Sequence, residues 1–221
     1  YSMIKLENIY SPLFPGTVTL NYDDINYLTN TVYYSRLHKK TKRNVYYPWG
    51  QTVLFQHKVM TDRSDFSGYY FRASSFFDFP GFKETHSFRL NLNYENQTQK
   101  GYAFANSVSL ISGLDNNNKF KKAVVAEIEY ELPIIYPHIH VGPILNIQRI
   151  RYTSFINTAM VEGIDSNDDY VEERPFGFGG ELYFDVNFFR QTSVFNLGLR
   201  WSYVNLISKP KIELLLSSIT F

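Results

Sequence analysis

The sequence predicts an all-β fold: an antiparallel up-and-down transmembrane β-barrel of about twelve strands, within roughly 10 to 16. Three observations lead there. Apolar and polar residues alternate with a strict period of two in segment after segment. The segments run roughly nine to twelve residues, against ~5–6 for a globular strand and ~9–11 for one that crosses a bilayer. No stretch approaches the ~20 apolar residues of a membrane helix, and no helical stripe competes.

In chain order the strands are expected at 2–10, 16–22, 31–38, 50–61, 67–78, 85–96, 100–112, 121–132, 139–156, 176–190, 193–205 and 210–221. The first three have the least regular patterns. Val53 to Met60 carries apolar side chains on both parities. In 85–96, Phe88, Leu90, Leu92 and Tyr94 oppose Ser87, Arg89, Asn91 and Asn93. In 100–112, Tyr102, Phe104, Val108 and Leu110 oppose Ala103, Ala105, Ser107 and Ser109. In 121–132, Val124, Ala126, Ile128, Tyr130 and Leu132 oppose Val125, Glu127, Glu129 and Glu131. The pattern in 139–156 changes face near Arg149, the mark of a bulge. Leu182, Phe184, Val186 and Phe188 oppose Glu181, Tyr183, Asp185 and Asn187, and Phe195, Leu197, Leu199, Trp201 and Tyr203 oppose Asn196, Gly198, Arg200 and Ser202. Turn-forming residues separate the segments, as in 62–65, 96–101, 115–118, 133–137 and 190–193.

Composition fits this reading and excludes others. A net charge of +1, from 22 Lys and Arg against 21 Asp and Glu, gives no electrostatic case for nucleic acid. The absence of cysteine removes disulfides, zinc-thiolate sites and Cys nucleophiles. A mean hydropathy of −0.27 looks soluble, but it averages one apolar face with one polar face. Aromatics make up 18% of the chain, and those near segment ends, such as Tyr46, Trp49, Phe76, Phe79 and Phe188, fit interface girdles.

The connections suggest a direction. With the C-terminal end periplasmic, one side receives 23–30, 62–66, 97–99, 133–138 and 191–192. The other receives the longer loops 11–15, 39–49, 79–84, 113–120, 157–175 and 206–209, as in outer-membrane barrels. The chain starts at Tyr1 and shows no signal peptide, so it is read as processed, trimmed or a fragment. The terminal Phe221 on an apolar-rich strand resembles the signal read by the machinery that inserts outer-membrane barrels.

The stretch FPGFKETHSFRLNLNYENQ (79–97), with Pro80, Gly81, His86 and Ser87, resembles a recurring barrel sequence of Bacteroidota outer-membrane proteins. YELPIIYP (130–137), ILNIQRIRYTSF (144–155) and GGELYFDVNFF (179–189) follow in the family's order. The resemblance covers roughly 45–221 and implies a C-terminal outer-membrane barrel of the kind often found behind a TolB-like β-propeller. No propeller repeat is visible in this chain. The domain expected is therefore a single barrel over 1–221, whole or the C-terminal part of a longer chain. The family supplies no activity that can be carried over to single residues.

The candidate sites each have a plainer alternative. Glu127, Glu129 and Glu131 form an inward column that could filter cations; as ordinary lumen residues they would pair with nearby bases. With Arg72, Arg89, Glu181, Asp185 and Arg200 they are the residues expected to line the lumen. His86 and Ser87 are adjacent, so in a strand they point to opposite faces and cannot form a nucleophile–base pair. His138 and His140 share a face, but no third metal ligand is evident. The acidic loop 158–174 lacks the Gly and closing Glu of an EF-hand, and the basic run HKKTKR (38–43) could meet lipopolysaccharide phosphates.

The function expected is passive: a transport component or anchor in the bacterial outer membrane. No catalytic, cofactor or metal residues are expected. The partners would be outer-membrane lipid and lipopolysaccharide, the barrel assembly machinery and other envelope proteins, with no nucleic acid. The alternatives are an outer-membrane lipase or protease, an open cation-selective porin, or a soluble β-sandwich or lipocalin-like carrier.

Overall fold

The computed structural model describes residues 2–4, 25–39, 44, 46–60, 68–98, 104–112, 114, 120–137, 139–142, 144–164, 170–188 and 194–219. The expected strand 16–22, His138, Asp165, Asp168, Asp169, most of the basic run and Phe221 lie outside them.

The described residues form one antiparallel β-sheet. Its strands are β1 (Ser2–Ile4), β2 (Ile25–Leu37), β3 (Gly50–Met60), β4 (Tyr69–Pro80), β5 (Ser87–Gln97), β6 (Lys122–Ile135), β7 (Ile139–Val141), β8 (Leu145–Ile164), β9 (Tyr170–Glu173), β10 (Phe176–Phe188), β11 (Val194–Val204) and β12 (Pro210–Ile219). The hydrogen-bonded order is β1-β2-β3-β4-β5-β6-β8-β10-β11-β12, with the short β7 and β9 both on β8. This is the up-and-down meander that the alternation predicts. The described residues show no pairing between β12 and the first strands, so the sheet is open between those edges.

The sheet curls. Arg72 on β4 borders the same cavity as Arg200 on β11 and Glu213 on β12, which only a concave face can bring about. The two faces have opposite characters. Along β8, Arg151, Thr153, Phe155, Asn157, Ala159 and Val161 are buried and alternate with partly or fully exposed neighbours. Along β11, Asn196, Ser202 and Val204 are buried, whereas Leu197, Leu199 and Trp201 are exposed. Fully buried side chains include Glu95, Glu131, Asp78, Asp185 and Asn157. Exposed ones include Ile128, Ile156, Leu214 and Leu216. The concave face is thus largely polar and the convex face apolar.

Three expectations need correction. Of the segment expected as a strand at 100–112, the described residues 104–112 lie in no strand. β5 pairs directly with β6, from Ser87 opposite Glu131 to Asn96 opposite Lys122, and leaves no place between them. The segment turns inward instead. Val108, Leu110 and Ile111 pack with Phe120, Ala123, Val125, Ala159, Val161 and Val204 in an apolar cluster inside the sheet. Alternation of small and apolar side chains suits an extended inner segment as well as a strand.

The second correction follows from the first. Removing one crossing reverses the side of every connection before residue 98. The β2–β3 and β4–β5 connections now share a side with those near 136–144 and 189–193. The β3–β4 connection, the inner segment's two ends, the β8–β10 connection and the β11–β12 turn share the other. The connections that carry the basic run and the acidic loop, expected on one side, leave the sheet on opposite sides.

Third, the strand expected at 139–156 is broken by a turn at Gly142, whose positive φ of 57° suits glycine, and then continues to Ile164. Part of the expected acidic loop is therefore strand, and Glu162 pairs with Lys122 at 2.5 Å. The expected bulge near Arg149 is present: the register of β10 on β8 shifts where Asp185 faces Arg149 and Val186 faces Ile147.

Candidate functional site

The interior is layered along the strands. Toward the β11–β12 turn lies the apolar cluster built on Val108, Leu110 and Ile111. Toward the β4–β5 turn lies an ionic layer. The pleat makes both from single strands: Ala123 and Val125 enter the cluster, and Glu127, Glu129 and Glu131 follow at every second position of β6.

The ionic layer is closely paired. Arg151 Nη1 donates to Glu131 Oε1 at 2.5 Å, and its Nε donates to Asp185 Oδ1 at 3.1 Å. Arg149 Nε donates to the other oxygen of Asp185 at 2.6 Å. One arginine on β8 thus ties its neighbours β6 and β10 together. Arg89 holds Asp78 with two bonds, at 2.7 and 3.0 Å, and Arg200 Nε donates to Glu181 at 2.6 Å. Burial makes such bonds strong and makes each charge costly to leave alone.

Two segments fill the space the sheet encloses. Tyr46, on the β2–β3 connection, reaches in and donates its hydroxyl to Glu129 at 2.6 Å, with the Arg89 guanidinium 3.6 Å from its ring centre. Burial pushes the Tyr46 hydroxyl well above its ordinary pKa, and the charges of Glu129 and Glu131 add to this, so it remains a donor. From the other end comes the inner segment. Glu95, fully buried, accepts from Asn106 Nδ2 at 2.6 Å and from the backbone N–H groups of Ser107 and Val108, both at 3.0 Å. Replacing Glu95 by Ala is expected to orphan those N–H groups and cost about 1–3 kcal/mol. Limited proteolysis should then cut within 104–112 faster than in the parent chain, with Glu95→Gln nearer the parent. Unchanged cleavage in Glu95→Ala would mean that other contacts hold the segment.

Two cavities remain beside these fillings. One, of about 450 Å³, is bordered by Tyr46, Arg89, Glu127, Glu129, Arg151, Glu181, Asn196 and Arg200, among others. The second, of about 480 Å³, is bordered by Arg72, Asn91, Glu127, Arg200, Glu213 and the inner segment. Comparison with protein-family models, with curated proteins and with solved structures returns no match.

The residues expected in the lumen therefore divide as follows. Arg89, Glu127, Glu129, Glu181 and Arg200 border the first cavity, and Arg72 borders the second with Glu127 and Arg200. Glu131 and Asp185 are buried beneath the first, against Arg151. The pairing within the column is not the expected one. Arg89, Arg72 and Arg200 make no ion pair with it; Glu131 takes Arg151, whereas Glu127 and Glu129 accept from Asn91, Asn157 and Tyr46. Arg149, Arg151, Asp78, Glu95 and Tyr46 were missed. A signal existed for Asp78, a lone carboxylate in the aromatic run FFDFP, and for Arg149 and Arg151, two bases on one parity.

His86 and Ser87 do not meet: His86 Nδ1 lies 2.5 Å from the Tyr130 hydroxyl, and Ser87 is buried. Burial, helped by the nearby Lys83 charge, lowers the His86 pKa. Among the described residues no three His, Cys, Asp or Glu side chains converge as metal ligands.

Proposed function

We propose that the chain is an integral outer-membrane β-barrel with a filled lumen, acting as a passive transport component or membrane anchor within an envelope assembly. One observation carries this: the polarity is inside out. Ile212, Leu214 and Leu216 are 77%, 86% and 74% exposed, while Glu131, Asp185 and Asn157 are 1%, 1% and 0% exposed. Water disfavours so broad an apolar surface over a charged interior, and lipid favours it. Strand length agrees. β11 has 11 residues and β6 has 14; at ~3.3 Å per residue and a tilt of ~40° they rise about 28 and 35 Å, enough to cross an apolar band of ~25 Å. Spanning lipid demands closure, since an open edge would leave N–H and C=O groups unpaired there. In this reading the free edge of β12 meets the first strands.

The passive role rests on the ion pairs, which tie most of the interior charges to one another. In planar bilayers the purified chain is expected to give no large stable conductance. A large cation-selective one would make it an open porin.

The absence of cysteine permits a clean test of topology. Single cysteines at Glu172 and Leu206 should react with a membrane-impermeant maleimide on intact cells. One at Glu84 should react only after permeabilisation, because the connections alternate and the C-terminal end is placed inward. The protein should leave the membrane fraction only with detergent. Recovery in the soluble fraction, with equal labelling at all three positions, would reject the proposal.

A further inference from the structure

The cavity of about 450 Å³ has an imbalance of charge. Each arginine on its wall is committed: Arg89 to Asp78, Arg151 to Glu131 and Asp185, and Arg200 to Glu181. Glu127 and Glu129, on the same wall, accept hydrogen bonds only from neutral donors among the described residues: Asn91 and Asn157 on the one, Tyr46 and Asn91 on the other. They are successive inward residues of β6, so their charges repel across a short gap. Arg72, in the adjoining cavity, spends its Nε on Ser74 and forms no ion pair among the described residues.

A second feature of the wall is an unused acceptor. Asn196 is 5% exposed and borders the same cavity. Its Nδ2 donates to Ser217 Oγ at 3.3 Å, which leaves Oδ1 buried with no donor. An orphaned buried carbonyl costs free energy that a bound donor would return. Two carboxylates without a cation and a carbonyl without a donor ask for the same thing, a cation rich in N–H groups.

We propose that this cavity binds a small organic cation, through an ammonium or guanidinium group held by Glu127 and Glu129, with Asn196 Oδ1 as a further acceptor. The volume suits a molecule of a few carbon atoms with its charged groups. A bare divalent ion fits less well, because calcium takes about 6–8 oxygen ligands and no set of three acidic or His ligands converges among the described residues. The site requires neither a membrane nor a closed barrel.

The test is titration calorimetry of the folded full chain, in detergent or without it, with agmatine as probe. Agmatine carries one guanidinium and one ammonium group. Saturable binding at one equivalent is expected. Glu127→Gln and Glu129→Gln should each weaken it about tenfold, the loss of one charge-assisted bond, and Asn196→Ala should weaken it less. Asn91→Arg sets a tethered guanidinium beside both carboxylates; it should keep the fold and abolish binding, so the test survives if a Gln variant misfolds. No saturable heat with the parent chain would overturn the proposal. So would equal binding by the folded Gln variants or Asn91→Arg, or tighter binding of calcium chloride than of agmatine.

Discussion

Replacing Arg151 by Met is expected to lower stability by about 3–5 kcal/mol, the cost of breaking a buried ion pair from one side. Arg151 is 6% exposed and bridges Glu131 and Asp185, each 1% exposed. The substitution leaves Glu131 with no cation in contact, while Asp185 keeps Arg149. Met keeps the unbranched stem of the side chain, so the loss comes mainly from the missing guanidinium. Arg151→Lys should fall between, since one ammonium cannot reproduce a fork that reaches two carboxylates at once. Adding Glu131→Gln to Arg151→Met should recover part of the loss, because the stranded charge goes with it. Urea unfolding in micelles measures all of these. A loss below ~1 kcal/mol for Arg151→Met would mean that water screens the layer as it screens a surface pair.

Leu199→Arg gives the sharpest division between lipid and water. Leu199 lies on the convex face at 46% exposure, mid-strand on β11, opposite Leu182 and Leu214. If that face meets lipid near the midplane, the arginine should cost ~2–4 kcal/mol. On a soluble sheet, a change at so exposed a position should stay within ~0.5 kcal/mol. Leu197→Arg and Ile128→Arg should follow the same pattern, with less effect toward the strand ends. Folding into liposomes, read by tryptophan fluorescence and denaturant midpoint, separates the cases. Parent-like stability for Leu199→Arg would remove the main support for the membrane reading.

What could be read from the sequence follows from which residues report on one face at a time. β11 was legible because Asn196, Arg200 and Ser202 alternate with Leu197, Leu199 and Trp201, and only a strand with unlike environments on its two sides produces that. The inner segment was misread because Ser107, Val108, Ser109 and Leu110 satisfy the same rule, with Val108 and Leu110 in the apolar cluster and Ser107 and Ser109 exposed. That single error moved every earlier connection to the other side, although β3, β4, β5, β10, β11 and β12 fell within a few residues of their expected places. The residues of the concave face were legible as polar positions within alternating strands. Their partners were not, because pairing depends on register. Arg151 lies opposite Pro133 and Tyr183, which makes Glu131 and Asp185 its diagonal neighbours, and no periodicity encodes that register. Tyr46 entered from a connection, where alternation says nothing.

The way the inner segment is attached bears on how such a chain assembles. It leaves the sheet after β5 and returns before β6, and those strands pair with each other along their length. Its two ends are therefore anchored side by side, where Gln97 N–H donates to the Lys121 carbonyl at 2.9 Å. None of its described residues belongs to a strand, so strands can be added one after another without waiting for it. Docking can come last, and withdrawal would break its bonds to Glu95 and its apolar cluster but no strand pairing. The inner segment is a tethered flap against the concave face, removable without dismantling the wall.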